Sequence, residues 1–120
     1  MRQVAALACA SALAVAAWGT AGAAQETPDP AVLAEGKEIA FDRLKGNCLA
    51  CHVIEDGDLA GNAGPALVAM QARFPDKARL RAQIWDPTVR NPRTLMPPFG
   101  KHGILTEEEL DKVVEYIYSL

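Results

Sequence analysis

The pentapeptide Cys48-Leu49-Ala50-Cys51-His52 constrains this chain more than any other stretch. Its spacing is C-x-x-C-H: thiols three residues apart lie on one helical face and reach both vinyl groups of a single haem. His52 follows directly, four residues from Cys48, so thioether attachment would hold its imidazole beneath the iron. A covalent tether also keeps a small protein from losing its cofactor. Two other chemistries use similar residues. A thioredoxin-like redox pair expects a strand before the motif and a βαβ setting, and neither is visible here. A zinc site needs a further paired ligand, which His102, far along the chain, does not complete. The motif, an export signal and an all-helical pattern converge on one covalent haem c.

The export signal is at the start. One positive charge, Arg2, precedes an uncharged, alanine-rich run over residues 5–18, and no further charge comes before Glu26. That is the plan of a signal peptide, with small residues at Ala21-Gly22-Ala23 for cleavage after Ala23 or Ala24. The alternative, a retained anchor helix, lacks a second flanking charge, and the run falls short of the roughly 20 apolar residues of a membrane span. Residues 1–24 are therefore expected to be a cleaved leader, residues 25–120 the mature domain, and the location periplasmic.

Export removes Cys9, so only Cys48 and Cys51 of the three cysteines remain and no structural disulfide framework is available. A domain of about 96 residues is marginal on an apolar core alone, and a large buried cofactor would supply part of that core. Removing Arg2 from the twelve basic residues leaves eleven against fifteen acidic ones, a net charge of about −4 that disfavours nucleic acid as a partner. The charges are unevenly placed: Glu107, Glu108 and Glu109 open the last helical segment, while Arg73, Lys77, Arg79, Arg81, Arg90 and Arg93 make the middle third basic. Such asymmetry marks either a partner face or a solvated helix surface.

Helix signals punctuate the mature chain. Asp29-Pro30 forms an N-cap followed by proline, and Leu33, Ala40, Phe41 and Leu44 recur at helical spacing up to Gly46, which predicts a helix over 30–45. Gly36 inside it points to close approach of another helix or to a tolerated glycine. Residues 55–65 have a loop composition, 67–73 a short helical pattern, and 74–86 a helix that Pro87 ends. Four prolines and two glycines make 87–103 a long irregular loop of the kind that is usually functional. Thr106 and Glu109 then form a capping box, with Leu110, Val113, Val114 and Ile117 as a buried stripe. No alternating strand pattern occurs, and the mature chain reads as one small all-α domain.

The second axial position decides what the iron does, because a methionine sulfur raises the reduction potential and closes the site to small molecules. Met70, Met96 and His102 are the candidates. Met96 lies in Leu95-Met96-Pro97-Pro98-Phe99, where prolines stiffen the backbone around a flexible side chain, and is the preferred ligand. Met70, among Leu67, Val68 and Phe74, reads as core, and His102, between Lys101 and Gly103, as an exposed histidine. Pro65 in Gly64-Pro65-Ala66-Leu67 either donates a carbonyl to the second ring nitrogen of His52 or simply makes a turn. Trp85 either reaches a haem propionate or packs as a partly buried aromatic.

Together these residues resemble the class I cytochromes c, through Cys48 to His52, Gly64-Pro65-x-Leu67 and Met96-Pro97. More narrowly they resemble the SoxX family of the bacterial sulfur-oxidising system. That match runs in order through Arg73-Phe74-Pro75-Asp76-Lys77, Gln83-Ile84-Trp85-Asp86, Asn91-Pro92, Met96-Pro97-Pro98-Phe99-Gly100-Lys101-His102 and Val113-Val114-Glu115-Tyr116-Ile117-Tyr118. The resemblance implies a small class I cytochrome c fold with one covalent haem c, ligated by His52 and Met96. It also implies a heterodimer with a haem-bearing SoxA subunit, transient meetings with the carrier SoxYZ, and a small cytochrome c as electron acceptor. The joint activity would be that of an L-cysteine S-thiosulfotransferase whose bond-forming cysteine lies on SoxA, leaving this chain an electron-accepting and not a catalytic role. A free periplasmic electron shuttle and a five-coordinate haem sensor are the competing readings.

Overall fold

A computed structural model describes residues 27–120; the expected leader and its cleavage point lie outside the described residues. The described chain is all-helical and contains no strand, in keeping with the small cytochrome c fold expected above. Four α-helices follow in order, α1 (Pro30–Phe41), α2 (Met70–Arg73), α3 (Lys77–Trp85) and α4 (Glu107–Tyr118), with short 3-10 turns at Cys48–Ala50 and Pro87–Val89.

The first helix starts where Asp29 accepts from the Ala31 N–H at 2.8 Å and Pro30 takes the first helical position. It stops at Phe41, four residues before the predicted end. The cause is Asp42, whose carboxylate accepts from the Leu44 N–H at 2.8 Å while its carbonyl accepts from Lys45 and Asn47, a side-chain turn that competes with helical bonding. Leu44 therefore falls outside the helix in which its spacing placed it, and is 94% exposed. The predicted helix over 67–73 is likewise shorter, because the Leu67 N–H bonds the Val53 carbonyl and Ala69 adopts a left-handed φ of 50°. By contrast, α3 ends at Trp85 before Pro87 as the proline requires.

The last helix carries the capping box in both directions: the Glu109 N–H donates to Thr106 Oγ1 at 3.2 Å, and the Thr106 N–H to Glu109 Oε2 at 3.0 Å. Leu110, Val113, Val114 and Ile117 are buried as predicted, joined by Tyr116 and Tyr118. α4 is the hub, with α1 across it, α3 beside it and α2 at its end. At the α1–α4 crossing a Cβ on Gly36 would lie 2.1 Å from the Lys112 carbonyl oxygen, so the glycine lets two backbones touch. Phe41 and Tyr116 close the same crossing edge to face, 6.1 Å between ring centroids.

Part of the uneven charge of the sequence is taken up by ion pairs between helices. Arg81 of α3 pairs with Asp111 at 2.6 Å and Glu107 at 3.3 Å of α4, and Lys77 pairs with Glu115. Each such surface pair contributes little alone, about 0–1 kcal/mol, but together they set the register of α3 on α4. Gly36→Ala is expected to destabilise the domain by about 1–3 kcal/mol, because overpacking at a backbone contact outweighs the roughly 1 kcal/mol helix gain of alanine. Thermal melting by circular dichroism checks this, and an unchanged or higher midpoint would contradict the close crossing.

Candidate functional site

The residues around Cys48 build one wall of a deep cavity. Asn47, in a left-handed conformation (φ 46°), turns the chain into the 3-10 turn Cys48–Ala50, and the Cys51 and His52 N–H groups both bond the Cys48 carbonyl. Side chains three apart eclipse in 3-10 geometry, which puts the two thiols on one side. Neither cysteine is in a disulfide. Burial pushes the Cys48 thiol up to about 11, the opposite of the lowered value that a disulfide-exchange nucleophile needs. Among the described residues no group of three or more His, Cys, Asp or Glu side chains gathers to hold a metal ion, so zinc lacks its donors.

The loop after the motif is stitched along it. Gly61, Gly64 and Leu67 donate their N–H groups to the carbonyls of Leu49, Cys51 and Val53 at 2.7, 2.8 and 2.9 Å. This lays Pro65 beside His52, and the ring nitrogen Nδ1 lies 2.7 Å from the Pro65 carbonyl oxygen. A carbonyl only accepts, so Nδ1 carries the proton and the Nε2 lone pair is left free to bind. Gly64 is required by the ring itself, since a Cβ there would sit 2.5 Å from His52 Cε1.

The cavity holds about 1000 Å³, at the upper end of the roughly 300–1,000 Å³ of ligand pockets. Cys48, Cys51, His52 and Met96 all line it, and its apolar floor comes from Leu80, Ile84, Phe99, Leu105, Val113 and Ile117. Met96 is half-buried, with its N–H bonded to Thr94 Oγ1 at 3.1 Å. Met70 also reaches the cavity, yet it is 2% exposed and its sulfur accepts from Arg73 Nη1 at 3.4 Å, as befits a core residue. His102 is exposed and takes no part in the lining. Trp85 packs beneath the Arg81 guanidinium, 5.5 Å away, and against Gly100, as a partly buried aromatic beside the core.

Four arginines that the sequence did not single out for the site stand at the cavity. Arg43, Arg73, Arg90 and Arg93 line it, and among the described residues none of them has a carboxylate within ion-pair distance. No aspartate or glutamate lines the cavity, although acids outnumber bases in the chain. The donor set therefore fits haem c: two thiols on one side, an imidazole oriented through its far nitrogen, a thioether, an apolar floor, and cations for two propionates. The basic middle third was visible in the sequence, but only folding brings these four guanidiniums from three separate segments to one mouth.

Comparison with known proteins agrees with the geometry. A family model described as cytochrome c oxidase, cbb3-type, subunit III matches residues 31–117. A protein of Aquifex aeolicus described as an uncharacterized lipoprotein is 37% identical over 76 residues, which is 62% of this chain and 37% of the relative. The chain thus spans little more than a third of the curated relative it matches. Among the described residues no helix is long and apolar enough to cross a membrane. For the site itself, Gly64→Ala is expected to tilt the His52 ring away from Pro65 and to cost about 1–3 kcal/mol of stability. NMR of the His52 Nδ1–H resonance reports the first and thermal melting the second; no change in either would show that the ring has room.

Proposed function

This chain belongs to the cbb3-type cytochrome c domain family, whose members carry covalent haem c and transfer electrons, and on that premise we propose that it is the electron-accepting subunit of a SoxAX-type thiosulfotransferase. In this proposal Cys48 and Cys51 would form the thioethers, and His52 Nε2 and Met96 Sδ would hold the iron. Arg43, Arg73, Arg90 and Arg93 supply positive charge for the propionates. Bound there, haem c supplies a one-electron couple between ferrous and ferric iron. The protein's part is to hold and insulate it: Pro65 fixes the orientation of the imidazole, Met96 would keep small molecules from the metal, and the apolar floor excludes water.

The observation that carries this reading is the single cavity lined by Cys48, Cys51, His52 and Met96. The narrower assignment draws on the ordered match to the SoxX family from Arg73 to Tyr118. Joining thiosulfate to a carrier cysteine thiol forms one sulfur–sulfur bond and releases one proton and two electrons. One haem takes one electron at a time, so a single-haem chain needs a second redox centre or two turnovers with an acceptor. With Cys48 and Cys51 in thioethers, the described residues hold no further cysteine, which supports a reading in which the bond-forming sulfur belongs to the partner. The partner is a haem-bearing SoxA-type subunit, with SoxYZ and a small cytochrome c meeting the pair transiently in the periplasm.

A free electron shuttle is the second reading, favoured by the cationic cavity mouth, which suits brief encounters with acidic partners. Purification from periplasm separates the two. A SoxA-bound complex whose haem is reduced by thiosulfate in the presence of SoxYZ is expected, and a lone monomer indifferent to thiosulfate would refute the SoxAX assignment. Met96→Ala is expected to lower the reduction potential by on the order of 100 mV and to open the reduced iron to carbon monoxide. An unaltered visible spectrum would remove Met96 from its place and favour a five-coordinate site.

A further inference from the structure

Both ends of the segment that carries Met96 fasten to one carboxylate. Asp86, directly after α3, is the one buried charged side chain among the described residues, 8% exposed. Its Oδ1 accepts from the Thr88 N–H at 3.1 Å and from the Thr88 hydroxyl, which secures the start of the segment. Its Oδ2 accepts from Lys101 Nζ at 2.7 Å, which secures the end. The backbone repeats the closure beside it, since the Trp85 carbonyl accepts from the Gly100 N–H at 3.3 Å and the Lys101 N–H at 3.2 Å. Gly100 lies flat on the Trp85 ring, where a Cβ would come within 2.0 Å of it. Met96 itself has only local tethers, its N–H to Thr94 Oγ1 and the Thr94 N–H to the Asn91 carbonyl.

We propose that Asp86 and Lys101 form a latch that keeps the Met96 segment closed on the cavity, which makes them positioning residues for the sulfur ligand. This rests on Met96 being the ligand. Lys101 and the Thr88 hydroxyl hold the Asp86 carboxyl below the usual carboxylate range, so the charge the latch needs is present in the closed form. The pair differs from the other ion pairs among the described residues, in which both partners keep about a quarter or more of their side-chain surface: the Asp86 side chain retains 9%. Removing Lys101 therefore strands a buried carboxylate, and opening the segment is its nearest relief. Because the segment must open before an outside ligand replaces the sulfur, that ligand's apparent affinity scales with the open fraction.

The test is imidazole binding to the oxidised holoprotein, followed in the visible spectrum, for Asp86→Asn, Lys101→Met and Lys101→Arg. Asp86→Asn and Lys101→Met are expected to bind imidazole roughly tenfold more tightly and to weaken the sulfur-to-iron charge-transfer band, while Lys101→Arg restores both. Lys112→Met serves as the control, because it removes ion pairs to Glu35 and Glu108 on the α1–α4 side and is expected to lower the melting temperature without moving imidazole affinity. Should Asp86→Asn fail to fold, Lys101→Met carries the test, since the lysine is half-exposed. Affinities within twofold of the parent in both, with Met96→Ala still altering the spectrum, would overturn the latch and leave the ligand assignment standing. A Met96→Ala spectrum identical to the parent would overturn both.

Discussion

The backbone contact of α1 with α4 at Gly36 is the constraint on which the rest of the molecule depends. With no side chain at Gly36, the Lys112 carbonyl comes within van der Waals reach of the first helix, and the two axes lock at one crossing. α4 then has a fixed face for α3 and α2, and its Val113 and Ile117 point at the cavity floor with Leu80 and Ile84 of α3. Because the chain leaves α1 directly into the turn at Asp42, the crossing also sets where the cysteine motif begins. A shift of α1 would move Cys48 relative to the floor, so the first and last helices determine the site although neither supplies its functional side chains.

Within that frame the chain runs along itself twice around the cavity. On one side the loop of residues 61–67 bonds backbone to backbone with residues 49–53, which brings the Pro65 carbonyl to His52 without any long side chain. On the other, the segment after α3 returns to Trp85 and Asp86 and presents Met96 between its ends. Apart from the two short 3-10 turns, neither side has regular secondary structure. Their rigidity comes from hydrogen bonds of a few tightly placed glycines and prolines, and from aromatic or imidazole rings that those glycines let close in.

Charge is partitioned by the fold with a clear division. Lysines and Arg81 bind carboxylates between elements, fastening α3 and α1 to α4, while the arginines at the cavity are left without acidic partners among the described residues. An acidic protein thereby presents a cationic mouth. That polarity attracts negative charge over about a Debye length of 8 Å at physiological salt.

Much of this was legible in the sequence because it depends on neighbours in the chain. The capping box at Thr106, the stop before Pro87, the paired thiols and the apolar stripe of α4 are local or periodic, and the structure reproduces them. Local competition also explains the errors: Asp42 captured the Leu44 N–H and ended α1 early, and Ala69 took a left-handed conformation that shortened α2, neither visible from apolar spacing. Tertiary structure alone decided the rest. That Gly36 is a crossing and not a tolerated glycine, that Pro65 faces His52, that Trp85 packs on Gly100, and that four distant arginines share one mouth all depend on where segments far apart in the chain meet. Residue spacing encodes which side chains share a face of one element, but which elements touch is settled by close packing of the whole.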